Sequence, residues 1–157
     1  MKLEQDLARE QLAIASATKR AKAFALDEIL IGAVVAFMLS DHIKSAEGVL
    51  EAIVVINSFF MWIVAIGVIY HTVFVALYGA TIGKMWQNIA VITIDSLEKP
   101  PFYAALARAI TRVFSEFVLY FGFFWAFLNP LRRTWHDVAA QVIVVDLNPY
   151  EGEDEII

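Results

Sequence analysis

The hydrophobic pattern of the chain contains one long run without any charged side chain. Residues 53–77 read IVVINSFFMWIVAIGVIYHTVFVAL. A helix needs about 20 apolar residues to cross the roughly 30 Å hydrocarbon core of a bilayer. A helix on the surface of a soluble protein would need a polar face, and this run has none. The pattern therefore predicts a membrane span over residues 53–77.

A second apolar run precedes this span. Residues 23–39 are predicted to form the first span, although Asp27 and Glu28 stand near its start and leave only residues 29–40 uncharged. Residues 3–22 are rich in Ala, Gln, Glu and Arg, which favour helix. They predict a surface or interfacial helix that can run straight into the first span.

The pattern changes after the second span. Two β-branched runs, residues 89–95 and 141–146, have the composition of strands and are predicted to pair in a small sheet. Pro100 and Pro101 suit the entry to a helix. From Phe102 onward the pattern is that of an amphipathic helix.

A third apolar segment, residues 113–128, has two possible arrangements. Its 16 residues would make a helix of roughly 24 Å, which is short for a crossing, and it contains Glu116. A re-entrant segment is favoured because it keeps both strand-like runs on one side. The alternative is three plain spans with the C-terminus outside. The predicted fold class is an all-α membrane protein with two transmembrane helices, this third segment, amphipathic helices and a small cytoplasmic β-pair.

Composition supports this class and excludes others. Hydrophobic residues make up 60% of the chain and charged residues 18%, against about 45–50% and 25% in soluble domains. The sequence has no cysteine, so disulfides and thiolate chemistry are excluded. No basic footprint for nucleic acid, cleavable signal peptide, catalytic constellation or metal-ligand cluster is evident. The expectation is a protein without enzymatic activity, cofactor or metal.

The distribution of basic residues predicts the orientation. Lys19, Arg20 and Lys22 precede the first span, whereas Lys44 is the only basic residue in the loop between the two spans. Lys and Arg are enriched in cytoplasmic loops. The N-terminus is therefore predicted to be cytoplasmic, and the re-entrant arrangement places the C-terminus there as well.

Charged residues near the first span are candidates for function. Arg20 and Asp27 are seven residues apart, which places them on nearly the same helix face, about 10.5 Å apart. Ala23 lies between them, and its small side chain leaves room for a third charged group from another element. The alternative is that Asp27 and Glu28 only complement the positive end of the helix.

Several further charged residues lie beyond the spans. The segment GATIGK, residues 79–84, departs from the phosphate-loop pattern and predicts a tight turn with Lys84 at the membrane surface. Arg108, Arg112 and Glu116 form one helix stripe and are expected to snorkel or to form an interfacial ladder. In LRRTWHD, residues 131–137, Arg132 and Arg133 suit an anchor at lipid phosphates, with Trp135 at the headgroups. Asp137, next to His136, does not suit such an anchor.

Taken in order, these motifs resemble the RDD family of bacterial membrane proteins. The resemblance rests on Arg20, Ala23 and Asp27, on TIGK, on the helix PPFYAALARAITR and on the ending LRRTWHD–VAAQVIVV, and it covers residues 19–146. It implies that Arg20, Asp27 and Asp137 are the family's charged triad, and together with the helix spacing it predicts that Asp137 lies beside Arg20, with Asp27 one to two turns deeper. The residues expected to support this triad are Lys84, Arg108, Arg112, Glu116 and His136.

The resulting division is an N-terminal interfacial helix over residues 1–22, an RDD-like membrane domain over 19–146 and an acidic, disordered tail over 147–157. Asp146 is counted among the acids of that tail. The expected location is the bacterial inner membrane, as a multi-pass protein. The leading hypothesis is a component of an ion or small-solute transport system, and the alternative is a membrane scaffold subunit that docks other proteins through its N-terminal helix and acidic tail. Expected partners are the lipid bilayer and either further copies of the chain or other membrane proteins. A transporter would not tolerate neutralisation of Asp27, whereas a scaffold would.

Overall fold

A computed structural model of the protein describes residues 2–117 and 133–148. Its helices are α1 (Lys2–Arg9), α2 (Ala17–Lys44), α3 (Val49–Ser58), α4 (Phe60–Tyr78), α5 (Ile82–Trp86), α6 (Phe102–Phe117) and α7 (Trp135–Ala139). Its strands are β1 (Ala13–Ile14), β2 (Ile89–Thr93) and β3 (Val142–Asp146).

Two of these helices, α2 and α4, are long and apolar enough to cross a membrane, as predicted. Of the 18 most apolar consecutive residues in each helix, only 17% are buried inside the molecule. The core helix of a soluble protein would bury most of that surface, since apolar burial is what stabilises it. The exposed apolar side chains of α2 and α4 are instead those expected of helices that face lipid.

The bounds of both predicted spans change. The N-terminal helix does not continue into the first span, because α1 ends at Arg9 and Gln11 adopts a left-handed conformation with φ of 53°. A new helix then begins after Ser16, whose side chain accepts a hydrogen bond from the Lys19 backbone N–H. The second predicted span consists of α3 and α4, which are separated by Phe59 with non-helical dihedral angles of −95° and 4°.

The predicted strand pair is confirmed. β2 and β3 are antiparallel, with Ile89 opposite Asp146 and Thr93 opposite Val142. The sheet also has a third strand that was not predicted: β1 pairs with the other edge of β3, which gives the order β1-β3-β2. Asp146, assigned from sequence to the disordered tail, is the last residue of β3 and lies 2.8 Å from the Lys19 ammonium.

The sheet lies between α1 and the ends of the long helices. Side chains alternate across a strand, so Ile143 and Val145 face one way and cluster with Leu7 of α1. Val142 and Val144 face the other way. They join a cluster that includes side chains from α2, α4 and α6: Ala23, Val75 and Ala105. The apolar side of α1 is thus used inside the molecule.

The third apolar segment falls largely on residues 118–132, outside the described residues, and so does the proposed re-entrant turn. The strand β3 lies at the same end of the molecule as the start of α2, because it pairs with β1, which directly precedes α2. The helix α7 packs against α6. This pairing keeps both strand-like runs on one side, as the re-entrant arrangement expected. Tail residues 149–157 also lie outside the described part.

Candidate functional site

Asp137 is a completely buried carboxylate that joins three helices. It lies in the first turn of α7, where one of its oxygens, Oδ2, accepts a hydrogen bond of 3.2 Å from the Thr134 backbone N–H. The same oxygen pairs with the Arg20 guanidinium of α2. The other, Oδ1, accepts from Arg108 Nε of α6 at 2.9 Å. The contact between Arg20 and Asp137 expected from the sequence is therefore present. We call Arg20, Arg108 and Asp137 the arginine clamp.

The clamp fixes the charge of its members. Burial alone would raise the pKa of Asp137, but the Arg20 and Arg108 guanidiniums outweigh it and hold that pKa well below its ordinary value. His136 lies beside the clamp, with its Nε2 atom 3.7 Å from Asp137 Oδ1. Burial lowers the pKa of His136 well below its ordinary value, and the neighbouring arginines add to this. Asp137 is therefore ionised and His136 neutral near pH 7.

Asp27 is a second buried carboxylate, and both of its oxygens are engaged. Oδ1 accepts hydrogen bonds from the Tyr70 hydroxyl at 2.7 Å and from the Gly83 backbone N–H at 2.8 Å. Oδ2 accepts from the Thr81 hydroxyl at 2.6 Å and lies 3.8 Å from the Lys84 ammonium. The acid therefore links α2 to α4 and to α5. The alternative hypothesis, that Asp27 only complements a helix end, is wrong for this reason.

Gly83 fills the space over Ala23 that was expected to receive a third charged group. A Cβ atom on Gly83 would lie 2.2 Å from the Ala23 carbonyl oxygen and 2.8 Å from Asp27 Oδ1. Only glycine lets the backbone of α5 approach α2 this closely. The gap between Arg20 and Asp27 is thus closed by backbone contact rather than by a charge.

The sequence predicted that Lys84 lies at the membrane surface, but the structure places it inside the molecule. Its side chain is largely buried, and its ammonium donates to the Thr81 hydroxyl at 3.2 Å. Burial lowers the pKa of Lys84 to about 7, and Arg108 contributes in the same direction while Asp27 opposes it. The predicted tight turn is instead Gly79, with φ of 72°, followed by Thr81 and the short helix α5.

The predicted stripe of α6 faces inward rather than toward the interface. Arg108 belongs to the clamp. Arg112 pairs with Glu28 of α2, lies 2.9 Å from Glu116 Oε1 through its Nε atom and stacks over the Phe24 ring at 5.1 Å. These arginines do not snorkel, because both are buried and paired inside the molecule: Arg108 with Asp137 of α7, and Arg112 with Glu28 of α2 and Glu116 of α6.

A cavity lies beyond Arg112, between α2, α4 and α6. Its volume is about 300 Å³. Its walls are mostly apolar, and its polar side chains are Glu28, Arg112, Glu116 and His71. His71 retains only 5% exposure, and neither ring nitrogen has a hydrogen-bond partner among the described residues. Buried polar atoms nearly always have a partner, so this histidine marks the cavity as a place for a ligand or for water.

The sequence predicted the contact between Arg20 and Asp137 but neither the contact of Arg108, the third member of the clamp, with Asp137 nor the roles of the surrounding residues. Arg133 donates to the backbone oxygens of Val142 and Asp137 rather than serving as a lipid anchor. Arg132 lies outside the described residues. Tyr70, Thr81 and His71 were not singled out. Thr81 and Gly83 stand in the quoted TIGK motif, which was the available signal, whereas Tyr70 and His71 lie within an otherwise apolar run.

The described part of the chain holds no group of three or more His, Cys, Asp or Glu side chains placed to bind a metal ion. Its arginine clamp, its buried Asp27 and its two helices that are long and apolar enough to cross a membrane are features of a small helical membrane protein held together by internal ion pairs. The profile of the RDD family matches residues 14–141, and the chain belongs to that family. Neither the curated proteins nor the solved structures include a match to it.

Proposed function

We propose that the protein is a multi-pass protein of a bacterial inner membrane, with the sheet and both termini on the cytoplasmic side. The asymmetry of Lys and Arg between the two sides of α2 supports this orientation. The pairing of β1 with β3 supports placing both ends together. A cysteine introduced by Pro149→Cys should resist an impermeant thiol reagent in intact cells. Labelling in intact cells would overturn the orientation.

We further propose that the protein is a non-enzymatic component of an ion or small-solute transport system, and that the cavity between α2, α4 and α6 holds the solute. The observation that carries this proposal is His71, a buried histidine without a partner in the wall of a 300 Å³ cavity at membrane depth. Polar groups within membrane helices are costly and often line pathways for ions or solutes.

The arginine clamp and Asp27 have a structural part in this proposal. Every carboxylate oxygen of Asp27 and Asp137 already accepts a hydrogen bond or an ion pair from the protein. Neutralising Asp27 would remove contacts between α2, α4 and α5. A loss of transport in such a variant would not distinguish a transporter from a scaffold, so the test must fall on the cavity.

Gly67 provides that test. It lines the cavity, and a Cβ atom there would meet nothing within 4 Å among the described residues. Gly67→Leu should therefore fill the cavity without straining the helices. Gly32 of α2 is a matched control, because its Cβ would also meet nothing within 4 Å and it does not line the cavity.

The experiment uses proteoliposomes that enclose a pH-sensitive dye, with gradients of Na⁺, K⁺ or methylammonium imposed in turn. At least one gradient should produce a dye response with the wild-type protein and with Gly32→Leu. The response should be lost with Gly67→Leu. A protein that responds to none of the gradients, or that responds equally when the cavity is filled, would refute the transport proposal.

The scaffold alternative has less support. It was based on α1 and the acidic tail, but the apolar side of α1 packs against the sheet and residues 149–157 lie outside the described part. The two long helices are too few to enclose a pathway by themselves. Transport therefore requires further copies of this chain or other membrane proteins against the exposed apolar side chains of α3 and α4, such as Leu50 and Trp62.

A further inference from the structure

The cavity between α2, α4 and α6 has a chemical character that indicates what it binds. Its walls are formed by apolar side chains of α4 and α6, among them Ile63, Val64, Val68 and Val113. The wall of α4 extends from Phe60 to His71, roughly 16 Å along the helix axis. An elongated apolar body can lie along this wall, with a polar group at the His71 end.

The polar side chains that line the cavity include more acids than bases. Two carboxylates, Glu28 and Glu116, face a single guanidinium, that of Arg112. Arg112 is already shared between both acids and the Phe24 ring. An anionic ligand would have to displace one carboxylate from Arg112, which would leave that acid buried and unpaired. A cationic ligand would instead join a carboxylate that is only partly neutralised.

His71 adds the complementary hydrogen-bonding group. Its ring is almost completely buried, it contacts the Tyr70 ring edge-on at 5.0 Å, and its nitrogens have no partner in the described structure. A neutral imidazole always presents one acceptor nitrogen. A ligand with N–H donors satisfies that acceptor while its charge is met by the acids.

We propose that this cavity binds an elongated apolar molecule carrying a primary ammonium group. The ammonium lies between Glu116, Glu28 and His71, and the apolar body lies along Ile63, Val64 and Val68 of α4. The side chain of Glu28 keeps 43% exposure, so the polar end of the cavity reaches the outer surface of the bundle. The ammonium can belong to a free alkylamine or to an aminolipid. This inference rests on the proposed function in naming the class of solute, but the binding itself does not require transport.

The experiment is photo-labelling of the purified full-length protein in nanodiscs of phosphatidylglycerol with an alkylamine that bears a diazirine. Labelled residues are identified by mass spectrometry, and labelling is competed with octylamine, octanol or octanoate. These competitors share a chain and differ only in the polar group. Saturable labelling should fall on the α4 and α6 walls. Octylamine should compete about tenfold or more better than octanol, as expected for a hydrogen-bonded ion pair, and octanoate should not compete.

Two variants locate the site. Gly67→Leu should abolish the saturable labelling, and Gly32→Leu should leave it unchanged. Glu116→Gln keeps the shape of the side chain and should reduce the advantage of octylamine over octanol severalfold, which a loss of packing alone would not do. Thermal unfolding of each variant, measured alongside, shows whether it remains folded. If Gly67→Leu does not remain folded, the effect of Glu116→Gln on the competition by octylamine tests the ammonium site by itself.

The outcomes separate this inference from transport. Equal competition by octanol and octylamine, or labelling that persists in Gly67→Leu, would overturn the ammonium site. Loss of labelling when phosphatidylethanolamine is added to the nanodiscs would identify an aminolipid as the occupant, and unchanged labelling would identify a free amine. Binding without any flux in proteoliposomes would refute the transport proposal and leave the site standing. If Gly67→Leu blocks a flux but the protein binds no amine, the ammonium site is refuted and the transport proposal stands.

Discussion

The arginine clamp and the cavity share the helices α2 and α6, but the protein satisfies their polar groups to opposite degrees. In the clamp, both oxygens of Asp137 are engaged by protein donors. In the cavity, His71 is nearly as buried but has neither nitrogen engaged among the described residues. The carboxylates of Asp27 and Asp137 are thus fully engaged by the protein itself, whereas an unsatisfied group among the described residues, His71, lies in the cavity.

This difference indicates that the clamp has a structural role and that the cavity has a different one. Buried charges cost free energy unless they are paired, and a fully paired group has little capacity left for a ligand. Asp27 and Asp137 hold α2, α5, α6 and α7 together beneath the sheet. The cavity keeps polar capacity available for something outside the chain. Three experiments test whether the two regions differ in this way.

The largest effect is expected from removing the central acid of the clamp. Asp137→Ala removes the carboxylate that the buried Arg108 guanidinium and its neighbour Arg20 share. Breaking a buried pair in this way costs about 3–5 kcal/mol of the free energy of unfolding. Chemical unfolding in mixed micelles measures it, and the double variant with Arg108→Ala should cost clearly less than the two single changes added together.

A matched control is Asp41→Ala at the far end of α2. Asp41 also lies near a basic residue, Lys44 at 4.0 Å, but its side chain keeps 93% exposure. An exposed pair contributes about 0–1 kcal/mol. Strict additivity of Asp137→Ala and Arg108→Ala would show that the clamp does not act as a unit.

The second experiment tests the close contact beside Asp27. A Cβ atom on Gly83 would lie 2.2 Å from the Ala23 carbonyl oxygen, which is backbone and cannot move aside. Gly83→Ala should therefore lower the free energy of unfolding by about 1–3 kcal/mol or more. Gly32→Ala and Gly67→Ala, where a Cβ meets nothing within 4 Å, should change it by less than about 1 kcal/mol. Equal effects at all three glycines would mean that α5 does not rest on α2.

Several parts of this architecture could be predicted from the sequence because they depend on local patterns. The charge-free run of residues 53–77 predicted apolar helix, and the β-branched runs predicted β2 and β3. The pairing of Arg20 with Asp137 followed from helix spacing together with the family resemblance. In each case one element, or one pair of elements, carried the signal.

Other parts could not be predicted because they depend on packing between distant elements. β1 has only two residues, and it forms because it pairs with the edge of β3 that β2 does not occupy. Lys84 is buried because Gly83 brings α5 against α2. His71 stands within the apolar run of residues 53–77, and only the packing of α2 and α6 shows that its ring nitrogens are buried without a partner among the described residues. Periodicity carries no information on such contacts.

The third and smallest effect concerns Lys84, whose charge decides whether the Asp27 site resembles the clamp. Its pKa in the folded protein is about 7, against an ordinary value of 10.5. Between these values the unfolded chain holds a proton that the folded protein lacks, so stability should rise as pH increases from 7 toward 10.5. The expected gain is about 1 kcal/mol between pH 7 and pH 8, since one pKa unit is worth about 1.4 kcal/mol.

The measurement is the difference in the free energy of unfolding between the wild type and Lys84→Met at each pH, which cancels the titration of all other groups. Lys22→Met, at an exposed position of α2, should retain the rise that Lys84→Met removes. A stability that instead falls as pH increases would mean that the negative charge of Asp27, 3.8 Å away, dominates over burial. Lys84 would then be a permanent ammonium, and the Asp27 site would be a second charge clamp rather than a hydrogen-bonded acid beside a neutral amine.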